Sequence, residues 1–166
     1  MNCAEIKFPD IANGPGARVS LFVSGCPHRC KGCFNSETWD YNYGFPFDES
    51  VEKRLLHLLS LPYIQGLSLL GGEPFDINNE RRLAEFARKV RWFFPMKDIW
   101  CWTGYLYEDL SDTRLIGEID ILVDGPFVET EKSIGLQYRG SRNQRVIDVR
   151  ESAKIGTVVI IPTHDR

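Results

Sequence analysis

The sequence feature that most constrains this chain is a group of three cysteines within eight residues. Cys26, Cys30 and Cys33 lie in the run CPHRCKGC, with C-x3-C-x2-C spacing, directly after an apolar stretch that is typical of a strand. The residues between them favour turns or carry positive charge, so the three thiolates can converge on one metal centre without distorting a helix or a strand. The spacing predicts an iron-sulfur cluster in this loop.

The number of cysteines in the loop decides what such a cluster could do. A cluster that only carries electrons is normally held by four cysteines, and the loop supplies three. Cys101 lies in an aromatic strand pattern, where a thiol that is simply buried is the default interpretation, and Cys3 lies near a terminus that we expect to be mobile. We therefore expect one iron to remain open to a substrate or cofactor, as in metal sites that keep one position vacant.

The composition is that of a small globular enzyme. With 166 residues and 43% hydrophobic content, the chain can bury one core, so we expect a single domain over residues 1–166. The net charge of −3, with scattered basic residues, argues against a nucleic-acid partner. The sequence shows no apolar stretch long enough for a membrane span, and its cysteine usage indicates a reducing compartment, which predicts a cytoplasmic protein.

Strand-like and helix-like segments alternate along the chain. This β-α order predicts a parallel sheet whose functional loops lie at the carboxyl ends of the strands. About four such units are too few for a complete eight-unit barrel of about 250 residues, so the fold class is α/β, as an incomplete, open (β/α) barrel or a doubly wound sheet. We predict strands over 18–23, 66–70, 98–103, 119–123 and 156–161, helices over 48–59 and 78–94, an irregular helix over 107–117, and a segment over 125–148 that folds across one end.

The cysteine loop, together with GGEP at 71–74 after the second predicted strand, resembles the radical S-adenosylmethionine superfamily. Further segments between residues 13 and 148 narrow the resemblance to the activating proteins of anaerobic ribonucleoside-triphosphate reductase: NGPGAR, CFN, TW, KDIWCWTGY, ILVDGPF and RGSRNQR. The resemblance implies an incomplete, open (β/α) barrel of the radical S-adenosylmethionine type. It also implies a [4Fe-4S] cluster on Cys26, Cys30 and Cys33, with S-adenosyl-L-methionine on the fourth iron.

The activity that this resemblance implies is protein activation by a radical. An electron from the reduced cluster cleaves S-adenosylmethionine to methionine and a 5'-deoxyadenosyl radical, which removes a hydrogen atom from one glycine of the large reductase subunit and leaves a glycyl radical there. The implied partners are that reductase and a flavodoxin- or ferredoxin-like electron donor. No catalytic residue is expected beyond the cluster and the cofactor.

The resemblance also assigns residues that bind the cofactor. The superfamily often has an aromatic residue before the third cysteine, whereas this chain has Gly32 there and Phe34 after it, so either could cover the adenine. Glu73 could accept a hydrogen bond from the cofactor or only fix the turn. The predicted cofactor-binding residues are Gly32, Cys33, Phe34, Gly71, Gly72, Glu73 and Thr103.

Some alternatives remain open at this level. The chain could activate another glycyl-radical enzyme, of the pyruvate formate-lyase type, or it could be a non-catalytic iron-sulfur or zinc module in which Cys3 or Cys101 completes a four-thiolate site. His28 could tune the cluster or be a solvated loop residue. The arginines at 139, 142 and 145 could dock a partner, hold the cofactor carboxylate or form a solvated basic face.

Overall fold

The computed structural model describes residues 1–165, which form a mixed α/β fold with a seven-stranded sheet and three α-helices. The core is built on runs of Val, Leu and Ile that suit strands buried on both faces. In chain order the elements are β1 (Asn2–Asp10), β2 (Ala17–Val23), β3 (Phe45–Pro46), α1 (Glu49–Leu59), β4 (Ile64–Gly71), α2 (Glu80–Phe93), β5 (Asp98–Trp102), β6 (Ile121–Asp124), β7 (Arg145–Asp148) and α3 (Val149–Ile155).

The sheet combines a parallel centre with antiparallel outer strands. Its order is β3-β1-β2-β4-β5-β6-β7, so the described sheet ends in two edges. The parallel prediction is confirmed for β2, β4, β5 and β6. It is wrong for the flanks, where β1 pairs antiparallel with β2 and β3, and β7 pairs antiparallel with β6.

Both long predicted helices are confirmed, and only the first of them has a side-chain cap at its N-terminus. Asp48 caps α1, since its side chain accepts the Val51 N–H at 3.0 Å. Asn79 precedes α2 but makes no side-chain cap. Its amide instead donates to the carbonyls of Ser24 and Glu73, both at 3.0 Å, so it joins the segment before α2 to the end of β2.

Three predicted segments come out differently in the structure. Residues 107–117 form two short 3-10 turns, Tyr107–Asp109 and Leu115–Glu118, instead of one helix. The strand predicted over 156–161 is reduced to a single bridge between Ile147 and Ile160. The segment 125–148 is largely irregular, but it ends in β7.

The N-terminal cysteine is not in a mobile terminus. Cys3 lies in β1, has no exposed surface and packs in the main apolar core. Cys101 in β5 is equally buried in that core. The expectation for Cys101 is thus confirmed, and the expectation of a mobile segment around Cys3 is wrong.

A buried arginine ties the strands together at the end of the sheet opposite the cysteine loop. Arg18 has no exposed surface, and it donates to Ser68 Oγ at 2.7 Å and to the Leu67 carbonyl at 2.8 Å. It also pairs with Asp98 at 2.5 Å. The NGPGAR motif is therefore, in this structure, the turn that delivers Arg18 into β2.

No helix among residues 1–165 combines the length and the apolar character that a membrane crossing requires.

Candidate iron-sulfur and cofactor site

Three sequence motifs lie together at the carboxyl ends of the parallel strands. The cysteine loop follows β2, GGEP follows β4, and the segment around Thr103 follows β5. These three strands are neighbours and run parallel, so their carboxyl ends lie side by side. That edge is where open α/β sheets bind ligands.

The cysteine loop winds back on itself after β2. Arg29 and Gly32 adopt positive φ angles of 47° and 74°, and the Cys33 N–H donates to the Cys30 carbonyl at 3.1 Å. Cys26, Cys30 and Cys33 are free thiols of intermediate exposure. Partial burial leaves the sulfurs reachable, while the turns keep all three on one short loop.

Burial holds Cys26 in its protonated form when no metal is present. Burial, together with the nearby Glu73 carboxylate, raises the pKa of the Cys26 thiol to about 11. The backbone N–H groups of His28 and Arg29 act in the opposite direction, because they donate to the sulfur. Metal binding at Cys26 must therefore release a proton.

The donor set fits a cluster better than a single ion. Within residues 1–165, no group of three or more His, Cys, Asp or Glu side chains is arranged to hold one metal ion. A [4Fe-4S] cluster is held differently, because each thiolate binds a different iron of the cluster. Cys26, Cys30 and Cys33 supply three half-buried thiols on one loop, which is the donor chemistry of such a cluster.

A buried donor beside the third cysteine also fits an additional bound group. The Asn35 N–H donates to Cys33 Sγ at 3.4 Å. The Asn35 side-chain Nδ2 is buried and has no hydrogen-bond partner among the described residues. An unpaired buried donor is costly in a native protein, so a group bound beside Cys33 would relieve that cost. Asn35 was not among the site residues predicted from the sequence, although the CFN run places it two residues after Cys33.

The glycines at the strand ends let backbone segments cross. A Cβ on Gly72 would lie 2.5 Å from the Gly25 carbonyl oxygen, and one on Gly71, whose φ is +109°, would lie 2.7 Å from the Val23 nitrogen. The Glu73 N–H donates to that same Gly25 carbonyl at 2.8 Å. Gly71 and Gly72 thus allow the GGEP segment to pack against the end of β2, next to the cysteine loop.

Glu73 is the centre of the hydrogen-bond network at this edge. Its carboxylate is 1% exposed and accepts four hydrogen bonds. Oε1 accepts the Phe75 N–H at 2.9 Å and the Thr103 hydroxyl at 2.8 Å. Oε2 accepts the Gly104 N–H at 2.9 Å and pairs with His28 Nε2 at 2.7 Å. The carboxylate therefore joins the ends of β4 and β5 to the cysteine loop.

The other predicted cofactor-binding residues lie in different surroundings. Thr103 is buried, and its hydroxyl both donates to Glu73 and accepts the Tyr105 N–H at 3.1 Å. Phe34 is 88% exposed, which leaves its ring available to cover a ligand. A Cβ on Gly32 would lie 2.6 Å from the Glu129 carboxylate, so the segment after β6 reaches over the loop at this point. Their contact with a cofactor stays a prediction.

His28 is not a solvated loop residue. Besides its bond to Glu73, its ring packs edge-on against Tyr105, with 4.5 Å between the ring centroids. Its partner Glu73 lies forty-five residues further along the chain, so no local sequence pattern could predict this contact.

Two of the three C-terminal arginines are also tied down. Arg145 binds the buried Asp124 and, at 2.7 and 3.0 Å, both oxygens of Glu108. Arg139 donates to the Gln144 carbonyl at 3.0 Å and pairs with Asp165. The interpretation of a solvated basic face is therefore wrong for these two, and they stabilise the segment before and along β7. Arg142 is exposed.

The four-thiolate module finds no support among the described residues. Cys3 and Cys101 have no exposed surface and are buried within the apolar core. Burial raises the pKa of the Cys3 thiol to about 12 and shifts that of Cys101 in the same direction. Both behave as small apolar core residues.

Comparison with known proteins agrees with this site. The family described as "4Fe-4S single cluster domain" matches residues 12–147, which include the cysteine loop and all four parallel strands. The class that the fold and site define is thus a protein that holds one iron-sulfur cluster.

Curated relatives narrow that class. The chain is 42% identical over 148 residues to a protein of Enterobacteria phage T4, covering 88% of this chain and 93% of the relative. It is 43% identical over 154 residues to a protein of Escherichia coli strain K12, covering 90% and 100%, and 42% identical over 148 residues to one of Vibrio cholerae, covering 87% and 96%. All three are named anaerobic ribonucleoside-triphosphate reductase-activating protein. This chain belongs to that family of activating proteins.

Proposed function

We propose that this protein activates an anaerobic ribonucleoside-triphosphate reductase by generating a glycyl radical on it. The observation that carries the proposal is the three-cysteine loop at the carboxyl edge of the parallel strands, in a chain whose relatives are named for that activation. When bound, a [4Fe-4S] cluster and S-adenosyl-L-methionine supply a one-electron reductive cleavage whose product removes a hydrogen atom from a glycine.

The chain's own residues hold and shield these groups. Cys26, Cys30 and Cys33 would hold the cluster as thiolates, and Asn35 would donate to the group bound beside Cys33. The Gly71 and Gly72 backbone, Gly32 and Thr103 would form one side of the cofactor site, between the cysteine loop and the GGEP segment. Phe34, exposed on this loop, would cover the cofactor and exclude water.

The overall architecture suits a protein substrate. We infer that the seven-stranded sheet, with its two edges, belongs to an incomplete, open (β/α) barrel, and that residues 1–166 form one domain. Such a sheet leaves the carboxyl ends of its parallel strands accessible to a loop of the reductase. We place the protein in the cytoplasm, where its five free cysteines stay reduced and a flavodoxin- or ferredoxin-like donor supplies the electron.

The test is anaerobic reconstitution of the full chain with iron and sulfide, followed by addition of S-adenosylmethionine, a low-potential reductant and a partner reductase. We expect electron spin resonance to detect a glycyl radical on the reductase, together with formation of 5'-deoxyadenosine. The Cys30→Ser variant should lose both products, and the core variant Cys101→Ala should keep both. A spectroscopically intact cluster that forms no glycyl radical would reject the proposal.

A further inference from the structure

The strongest feature that the proposed function leaves unexplained is the buried contact between His28 and Glu73. A carboxylate has about four lone-pair positions. In Glu73 these are filled by Phe75, Thr103, Gly104 and His28, at distances of 2.7–2.9 Å. The side chain of Glu73 therefore has no acceptor position left for a cofactor, which favours a role in fixing the turn.

His28 is the only one of these four partners in the cysteine loop, and the site provides a fitted space for it. A Cβ on Gly104 would lie 2.6 Å from the His28 ring, so the glycine leaves room for the imidazole. The Tyr105 ring closes the other side at a centroid distance of 4.5 Å. Because an ionised carboxylate can only accept, His28 Nε2 carries the hydrogen in this contact.

The main chain of the same residue adjoins two of the loop cysteines. His28 lies two residues after Cys26 and two residues before Cys30. Contacts thus connect the ends of β4 and β5 through Glu73 to the His28 ring, and the His28 main chain continues directly into the segments that carry Cys26 and Cys30. Hydrogen bonds from backbone N–H groups to thiolate ligands tune iron-sulfur clusters, so the position of this backbone matters for the bound group.

We propose that Glu73 is a positioning residue, which holds the cysteine loop in its cluster-binding conformation through the His28 side chain. The inference rests on the proposed function only in taking this loop as the cluster site. Its principal readout is the order of the loop itself, so it can fail or succeed independently of radical formation.

The experiment compares three variants by amide hydrogen exchange of peptides spanning residues 24–34, in the full chain with and without the cluster. His28→Leu removes the donor to Glu73, whereas His28→Gln keeps an N–H donor, and Glu73→Gln removes the charge. We expect exchange in this loop to rise roughly tenfold in His28→Leu and Glu73→Gln, as for the loss of one hydrogen bond to a charged group. His28→Gln should restore most of the protection.

The reconstituted proteins supply a second readout, which a purely structural role elsewhere would not move. We expect His28→Leu to shift the reduction potential of the cluster and to shorten its lifetime against a chelator, and His28→Gln to stay close to the parent chain. The double variant His28→Leu, Glu73→Gln should loosen the loop no more than either single variant.

Asp120→Asn is the matched control. Asp120 is a partly buried carboxylate with several donors, but it lies at the opposite end of β6 from this site. It should destabilise the whole chain without loosening residues 24–34 selectively. Unchanged exchange of that loop in His28→Leu would overturn the proposal, as would equal loosening of it in Asp120→Asn.

Discussion

The most heavily constrained single residue is Arg18. Its guanidinium has no exposed surface, makes hydrogen bonds to β4 and pairs with Asp98. Burial lowers the pKa of Arg18, and Asp98 opposes that effect. The charge is kept because its partners satisfy it, and removing one member of such a pair is costly.

We expect Arg18→Met to lower the free energy of unfolding by about 3 kcal/mol, toward the lower end for buried pairs because Asp98 is 28% exposed. Urea denaturation of the two proteins measures the difference. Lys53→Met provides the control, since its pair with Glu49 is largely exposed and should contribute little to the free energy of unfolding. Equal stability of Arg18→Met and the parent would show that the buried charge can be replaced by apolar contact.

Asn35 allows a test in which one substitution should have opposite effects on the metal-free chain and on the protein that holds its cluster. Without a bound group its buried Nδ2 has no described partner, so Asn35→Leu should leave the stability of the metal-free chain unchanged or slightly higher. In the reconstituted protein the same change removes a donor, and we expect the cluster to be lost to a chelator roughly tenfold faster. Iron release followed by absorbance measures this rate.

The exposed Asn42 supplies the comparison for that experiment. Asn42→Leu should alter neither the stability nor the rate of iron release. Lower stability of the metal-free Asn35→Leu chain would mean that Nδ2 already has a partner.

At the level of elements, the crossing of the GGEP segment over the end of β2 depends on a missing side chain. A Cβ on Gly72 would meet backbone atoms of Gly25 and Thr38 at 2.5–3.1 Å, and backbone cannot move aside as a flexible side chain can. We expect Gly72→Ala to cost about 1–3 kcal/mol and to reduce the iron bound after reconstitution. Thermal unfolding and iron analysis measure the two effects.

Gly117 offers a matched substitution in a 3-10 turn. A Cβ there would have no neighbour within 4 Å, and its φ is not positive. Gly117→Ala should therefore be neutral, or stabilising by up to about 1 kcal/mol through the unfolded state. If Gly72→Ala were as stable as Gly117→Ala, the crossing of the GGEP segment over β2 would relax at little cost. That result would contradict the prediction for Gly72→Ala.

The sequence predicted the elements whose pattern is local and missed those that depend on pairing. The helices α1 and α2 and the four parallel strands carry their own periodicity and turn residues, and all are present. β1 was missed although Glu5, Ile6, Lys7 and Phe8 alternate with the period of a strand. The apolar run over 156–161 lacks the alternation of apolar and polar residues that would give a strand one buried face. In the structure, only Ile160 of this run forms a bridge to β7.

The same distinction explains the candidate site. The cysteine spacing and GGEP are readable because their residues are adjacent in sequence. The contacts of Glu73 with His28 and Thr103 join positions thirty or more residues apart, so only the folded sheet brings them together. Arg139 and Arg145 were ambiguous for the same reason, since the acceptors that bind them lie elsewhere in the chain.

At the scale of the whole molecule, Asp120 connects the last helix to the rest of the fold. It pairs with Arg150 of α3 and with Arg91 of α2 at 2.9 Å, and it accepts the Ile99 N–H at 2.8 Å. Burial alone would raise the pKa of Asp120, but these hydrogen bonds together lower it below its ordinary value of 3.8. A carboxyl group whose pKa is lowered on folding stabilises the protein above its unfolded pKa.

We therefore expect Asp120→Asn to lower the free energy of unfolding by about 1–3 kcal/mol at pH 7. That difference should shrink as the pH falls below about 4 and through the lowered pKa of the folded state, because the parent carboxylate is then protonated as well. Urea denaturation across pH 3–7 follows the change. The exposed Asp112→Asn is the comparison and should leave the free energy of unfolding at pH 7 unchanged. A constant deficit of Asp120→Asn at every pH would contradict the assignment.

The anchoring of the cysteine loop by Glu73 bears on how the protein matures in the cell. Small zinc domains collapse without their ion, because nothing else orders their ligands. Here the contact between Glu73 and His28 uses no cluster ligand, so we expect a newly synthesised chain to fold before the cluster is inserted. We then expect oxygen damage to the cluster to leave a folded chain that can be reloaded, instead of a protein that must be degraded.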